Sequence, residues 1–465
     1  MISFVVLCLL LGAGHILRVR IRLLQRLYLP SCVVGGLFGL LVVQSLAAMD
    51  GLGEPIGRIN SALLQWSKLW SVLPRYLINV VFACLFLGVK LPKFKALWRS
   101  AGSQLAYGQI VAWGQYVVGL GAWLIGLGYL FSQLDLPSMF PGVLPIGLEG
   151  GHGTAAGMAE TFEHYDWPEG KDFALASATF GVMSAIIVGM VLINWAVRRG
   201  YVEKRREPAD IEEDDSIAII PIDRRPSAGK LTVSSDVVET FSLHIVAVGI
   251  AVGLGYIAKQ GLVAIENSST YLTEHKLLSG FPLFPLCLFG GLAVQLFANR
   301  FDKHQHIDIG LTRRIQNSAL DFLVVAAIAT IRLKIVLAGL VPLLILVAAG
   351  IVWNVCCVLF LARRVFRDAW FERSIAEMGQ SMGVTATGLL LLRVVDPDYE
   401  TPAAEAFACK QLLHEPIMGG GLWTAMAIPF IAIYGPTKVF LIATTAVTLW
   451  LLIIFVPRIF RSKPG

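Results

Sequence analysis

The chain has 465 residues, of which 56% are hydrophobic and 15% charged, and its mean hydropathy is +0.70. A soluble chain would carry about 25% charged residues, so the composition excludes a soluble globular enzyme and describes a polytopic membrane protein. The net charge of +6 does not mark a nucleic-acid partner, because Lys and Arg alternate between loops instead of gathering on one face.

Apolar runs of about 17–25 residues can span hydrocarbon. They predict eleven crossings, near 1–17, 27–48, 72–90, 104–131, 172–197, 237–262, 281–298, 317–334, 336–362, 403–431 and 437–457. The first has no cationic run before it and no small-residue cleavage site after it, so it reads as a retained helix and not a signal peptide. With the N-terminus outside, 28 of the 38 Lys and Arg residues fall inside and 9 outside, with Lys410 in a span. That is the positive-inside distribution, and it puts the C-terminus inside. The seven cysteines sit in apolar segments without C-x-x-C spacing and read as small core residues.

Between the fourth and fifth runs, Pro145 to Gly157 holds five glycines together with Glu149 and His152. Backbone this rich in Gly cannot hold a regular helix, and freed backbone groups survive at membrane depth only against protein or a water-filled cavity. The stretch therefore predicts a re-entrant hairpin over about 138–164. A second interruption, Met378 to Gly388, predicts another over about 372–392, its Gly383-Val384-Thr385-Ala386-Thr387-Gly388 matching Gly153-Thr154-Ala155-Ala156-Gly157. The long polar stretch 198–236, mixed in charge and with three prolines, is a linker. On either side of it the sequence repeats: Pro30-Ser31-Cys32-Val33-Val34-Gly35-Gly36-Leu37 returns as Pro285-Leu286-Cys287-Leu288-Phe289-Gly290-Gly291-Leu292, identical at five of eight positions.

The predicted fold is an all-α polytopic membrane protein of two inverted-topology repeats, each of five transmembrane helices with a re-entrant hairpin. The repeats are 1–197 and 237–431, joined by a cytoplasmic linker, 198–236, and followed by an additional transmembrane helix, 437–457. Five crossings per half force the second half into the opposite orientation. Inverted repeats broken at matching positions are the layout of secondary transporters, whose substrate and ions bind near the midplane.

These residues resemble the bacterial sodium–glutamate symporter family. Gly150 to Thr154 is similar to its S-G-G-H-G-T pattern, with Glu149 where the family commonly has Ser. Ala178-Thr179-Phe180-Gly181 is similar to its A-T-F-G, and Pro30, Val33 and Gly35-Gly36-Leu37 to its P-x-P-V-x-G-G-L. The segment order matches up to about residue 430. The second half departs: the family's G-A-T-P-T-A followed by an Asn-Met pair is here Gly383 to Gly388 without the proline or asparagine, and Lys410, Gln411, His414 and Glu415 occupy a helix that is largely apolar in the family. The resemblance implies import of glutamate or a related anionic or amino-acid substrate by symport, with sodium as coupling ion and no other cofactor. It also implies the bacterial cytoplasmic (inner) membrane with its lipid, and a homodimer in which a mobile domain bearing both hairpins slides against a fixed scaffold, an elevator mechanism. Because the departures fall where substrate and ion are handled, a proton-coupled carrier of another small organic anion stays open as the alternative.

The candidate substrate and ion site draws on both hairpins and the span after them: Glu149, Gly150, Gly151, His152, Gly153, Thr154, Thr179, Gln380, Ser381, Gly383, Thr385, Thr387, Lys410, His414 and Glu415. Backbone amides of Gly150 to Thr154 near a helix N-terminus can receive a carboxylate while freed carbonyls hold a cation; the plainer reading is a packing turn. His152 is a ligand or proton carrier, or a brace for its own loop. Thr154, Thr385 and Thr387 offer hydroxyls to sodium, and Thr179 and Ser381 are similar, although hydroxyls in membrane helices commonly bond a neighbouring helix. Ionisable groups at a span centre cost about 2.5–3.5 kcal/mol each on insertion scales. Lys410, Glu415 and Glu149 are therefore read as tuning the charge of the site, with Lys410 standing in for a coupling cation or binding an anionic substrate. Against this stands a Lys410–Glu415 pair that neutralises itself at a helix bend before Pro416.

An enzyme is disfavoured: His414-Glu415 lacks the second His of H-E-x-x-H, no G-x-S-x-G occurs and no Cys/His cluster has ligand spacing. An ion channel built on re-entrant loops is the remaining competitor, but two non-identical inverted hairpins suit alternating access better than a continuous pore.

Overall fold

Segments this apolar fold as helices because a helix satisfies its own backbone polar groups, which hydrocarbon cannot do. The computed structural model describes residues 2–27, 29–49, 54–89, 94–202, 219–220, 222, 225–234, 236–397 and 399–461, and every regular element among them is helical. Eight described helices are long and apolar enough to cross a membrane: Ile2–Arg20, Ser31–Ala48, Ala101–Leu130, Gly170–Arg198, Thr240–Asn267, Phe284–Phe301, Leu340–Val365 and Pro436–Val456. The chain is an all-helical integral membrane protein. Most of the predicted linker, 203–218, lies outside the described residues.

Three of the predicted crossings take another form. The run 72–90 begins in the last turns of a 30-residue helix, Glu54–Ala83, that carries Arg58, Lys68 and Arg75, and leaves the helix after Ala83. The run 317–334 belongs to Ile309–Ala329, which opens with Arg313 and Arg314. The run 403–431 is two helices, Ala403–His414 and Leu422–Tyr434. Between them Pro416 cannot donate a backbone hydrogen bond, and Gly419 and Gly420 adopt φ of 66° and 113°, a region open to glycine.

The stretch 145–157 departs from expectation in the opposite sense. It is largely helical, with helices Val143–Leu148 and Gly151–Gly157 and a break confined to Glu149 and Gly150. Every residue of Val143–Leu148 is buried, and that packing outweighs the low helix propensity of Gly, about 1 kcal/mol per residue.

The chain divides into two compact units. The first comprises Met1–Leu91, Ala156–His164 and Glu213–Arg332. Its helices cross closely at the two Gly-Gly pairs, where a side chain would not fit. A Cβ on Gly35 would strike the backbone of Leu10 and Leu11 in the preceding helix, and one on Gly36 would strike Ile328. Correspondingly, a Cβ on Gly290 would strike Ala251 in its preceding helix, and one on Gly291 would strike Ala83.

The second unit comprises Pro92–Ala155, Tyr165–Glu212 and Leu333–Gly465. Two of its long helices, Ala101–Leu130 and Leu340–Val365, each pass through one π-helical turn, Trp123–Leu127 and Cys357–Leu361. They meet where the Trp353 indole lies against Gly114 and donates to the Val111 carbonyl at 2.9 Å. The helix Pro436–Arg461 adds Ile454 to a core with Ala106, Tyr107, Ile110 and Val365. Two shorter helical pairs, Val143–Leu148 with Gly151–Gly157, which belongs to this unit up to Ala155, and Trp370–Ser381 with Thr385–Val395, carry the glycine-rich breaks.

Candidate functional site

Three helix breaks meet in the second unit. Gly151 starts its helix with φ of 66°, and a Cβ there would lie 3.1 Å from Val384 Cγ1 and 3.2 Å from the Gly383 carbonyl. Val384 is the cap of Thr385–Val395, so the first turns of two helices face each other. The third break, Glu415 to Gly421, joins them through Thr154 Oγ1, which donates to the Gly419 carbonyl at 3.2 Å.

Beside the breaks runs a network of buried polar side chains. Glu149 Oε1 accepts from Gln380 Nε2 at 2.9 Å and from His414 Nε2 at 2.7 Å, while its Oε2 accepts from the Ser381 hydroxyl. Lys410, with no solvent exposure, directs its ammonium at Glu377 Oε1 (2.6 Å), Gln380 Oε1 (2.9 Å) and Gln411 Oε1 (2.9 Å). Buried charges persist only when paired and hydrogen-bonded, and these three oxygens match the three N–H donors of a lysine.

The hydrogen-bond directions define the state of His414. Trp113 Nε1, which can only donate, bonds Gln109 Oε1 at 3.0 Å and so turns the Gln109 amide nitrogen toward His414 Nδ1, 3.2 Å away. His414 Nδ1 is therefore the acceptor, and its Nε2–H donates to Glu149. Gln115 fixes the neighbouring break by donating to the Ser381 carbonyl at 2.7 Å.

The remaining candidates fall outside this network or on its margin. Thr385 Oγ1 accepts from Gln411 Nε2 at 2.7 Å, and Gln411 Nε2 also reaches Glu415 Oε1 at 3.2 Å. His152 Nε2 meets Thr179 Oγ1 at 3.0 Å, and Thr179 donates to the Leu175 carbonyl, so the histidine is the donor of a separate pair. Gly150 N–H is held by the Pro145 carbonyl at 3.1 Å. Thr387 is buried beside Gly383, whose Cβ would lie 3.0 Å from its hydroxyl, and Gly153 is half-buried. Thr154 and Thr385, two of the three threonines read as sodium ligands, thus have different partners.

The ionic partner of Lys410 is Glu377, not Glu415. Sequence reasoning passed over Glu377, and with it Gln104, whose amide donates to Glu377 Oε2 at 2.9 Å, and Gln109. The available signal was three glutamines, 104, 109 and 115, inside an otherwise apolar run.

The sequence profile of the sodium/glutamate symporter family matches residues 1–400. The chain belongs to this family. A sodium/glutamate symporter from Haemophilus influenzae is 24% identical over 414 residues, covering 86% of this chain and 89% of that protein. No solved structure matches the chain significantly. The family match takes in Glu149, Glu377 and Gln380 and stops just before the helix Ala403–His414, which brings Lys410 and His414 to them. The buried network is therefore completed by residues that lie beyond the matched stretch.

Proposed function

We propose that the chain is a secondary active transporter that imports glutamate or a related anionic or amino-acid substrate by sodium symport, through elevator-type alternating access. The observation that carries this reading is the approach of Gly151 to Gly383 and Val384. Helix N-termini bear partial positive charge and unpaired N–H groups, so two that converge suit a substrate carboxylate, and broken helices of this kind are the binding elements of secondary transporters. Membership of the sodium/glutamate symporter family and the named relative support the substrate and ion.

Charge supports coupling to a cation. The network holds three carboxyl groups, Glu149, Glu377 and Glu415, against the single ammonium of Lys410. An anion joining them needs accompanying positive charge, for which the hydroxyls of Thr154, Thr385 and Thr387 and the freed carbonyls of the breaks are candidate sodium ligands. Importing a substrate of charge −1 against an inside-negative potential costs about 2.3 kcal/mol per 100 mV, so one cation cancels the electrical term and a second gains from it. The equivalent packing of Gly35-Gly36 and Gly290-Gly291, and one π turn in each of Ala101–Leu130 and Leu340–Val365, support the inverted repeat. That all three breaks fall in one compact unit supports their moving as one body. The homodimer, the inner membrane and the outside N-terminus rest on the family resemblance and the loop charges.

A second reading, a proton-coupled carrier of another small organic anion, is favoured by the Glu149–His414 contact at 2.7 Å, where a carboxylate and an imidazole can share a proton. Uptake of labelled glutamate, dicarboxylates and neutral amino acids into proteoliposomes, with sodium and proton gradients imposed separately, tests both. Saturable uptake driven by sodium alone is expected. Uptake driven only by protons selects the second reading, and flux at channel rates overturns both.

A further inference from the structure

We propose that the Lys410 ammonium fills a monovalent-cation site and acts as a tethered counterpart of a coupling ion, so that removing the side chain opens the site to free sodium. The oxygen set is built in advance of its occupant. Each oxygen facing the ammonium is aimed by a second bond of its own side chain. Glu377 Oε2 is held by Gln104, leaving Oε1 to face Lys410. The Gln380 amide nitrogen is committed to Glu149, and that of Gln411 to Thr385 and Glu415, which turns both amide oxygens toward the same point. Gly108 keeps the space open: a Cβ there would lie 2.5 Å from Glu377 Oε1 and 2.6 Å from Lys410 Cε.

One carboxylate and two amide oxygens, preoriented in a fully buried pocket, are donors for a hard monovalent cation as much as for an ammonium. The lysine supplies that charge as a compact, point-like head on a flexible stem. A free ion can be released on the far side of the membrane, whereas a tethered one returns with the protein and does no net transport work. The protein as it stands would therefore couple one ion fewer per substrate than the same site without its lysine. Only this consequence for coupling rests on the transport reading; the site itself stands on the geometry.

The test is a thermal-unfolding titration of purified protein in detergent, with sodium chloride replacing choline chloride at constant ionic strength. A ligand that binds only the folded state raises stability in proportion to ln(1 + [L]/Kd), so each added site steepens the dependence of melting temperature on the logarithm of sodium concentration. Lys410→Ala is expected to show a steeper sodium response than the unsubstituted protein. Lys410→Ala with Glu377→Gln, and separately Lys410→Met, which fills the pocket without charge, are expected to return to the original slope. In proteoliposomes Lys410→Ala would require one more sodium per substrate. An unchanged slope in Lys410→Ala overturns the inference, as does a Lys410→Ala protein that stays unfolded in saturating sodium while Lys410→Met folds. Extra sodium binding without uptake of any substrate by the unsubstituted protein sinks the transport reading and leaves the site standing. Sodium-driven uptake with an unchanged slope does the reverse.

Discussion

Two lysines in apolar helices, one in each unit, are held in opposite ways. Lys259, half-buried in Thr240–Asn267, donates to three backbone carbonyls, those of Leu278, Ser279 and Phe281, at 3.2, 2.8 and 2.5 Å. Glu266 of the same helix accepts from the amides of Leu278 and Ser279. Lys410 meets three side-chain oxygens instead. The histidines divide likewise. His244 is bound by the Thr240 carbonyl at Nδ1 and by the Asp308 amide at Nε2, whereas His414 is bound by Gln109 and Glu149. Charges locked to backbone pin a turn in one shape. Charges held by side chains form a network whose members can be exchanged or recharged, which is what a binding site requires.

The largest effect that would break this contrast comes from removing one member of each set. Glu377→Ala leaves the Lys410 ammonium buried without its counterion and is expected to cost about 3–5 kcal/mol. Lys259→Ala frees the carbonyls of Leu278, Ser279 and Phe281 but strands no charge, and is expected to cost about 1 kcal/mol while leaving uptake intact. Melting temperatures of the two purified variants measure the difference, and equal losses would mean that the buried pair is no more than another structural clamp. Next in size is Gly108→Ala, whose Cβ would press on Glu377 and Lys410. Overpacking of this kind costs about 1–3 kcal/mol, and transport should fall with it. Gly253→Ala is the control in the first unit, where nothing lies within 4 Å of the added Cβ. It should be neutral or slightly stabilising; a loss as large as that of Gly108→Ala would show that the sequence position of Gly, and not the network, sets the cost.

Much of this arrangement was legible in the chain, and what was hidden has a physical reason. Apolar runs reveal the helices because hydrocarbon demands them, and the paired Gly-Gly motifs reveal close crossings because a Cβ would collide there. The Glu415–Gly421 break reads in the sequence only as a helix bend before Pro416 within one crossing, although three consecutive glycines, 419 to 421, mark it, because hydropathy averaged over the run hides the interruption. At 145–157 glycine content overstated the irregularity, since burial restores a helix that propensity alone would not hold. Lys410 was identifiable as a charge in a span, but its partner was not. Glu377 lies in a polar segment where one more acid is unremarked, and the pairing is a tertiary contact. The same holds for Gln109 and His414, separated by 305 residues.

The smallest expected effect probes the chain of donors itself. Trp113→Phe keeps the ring that packs against Trp423, at a centroid distance of 4.3 Å, and removes only the indole N–H that orients Gln109. The lost hydrogen bond should lower stability by about 0.5–1.5 kcal/mol. With that N–H gone, the Gln109 amide is free to turn over and present its oxygen to His414 Nδ1, where a proton is then preferred. A neutral imidazole can satisfy that oxygen only by moving its proton from Nε2, which abandons Glu149. Nitrogen NMR of labelled histidine should therefore change from a single Nε2–H tautomer for His414 to a mixture, with His244 unmoved because backbone groups hold both of its nitrogens. A His414 signal that stays purely Nε2–H in Trp113→Phe would show that Glu149 alone sets the tautomer, and would move the control of this histidine from the long helix to the first break.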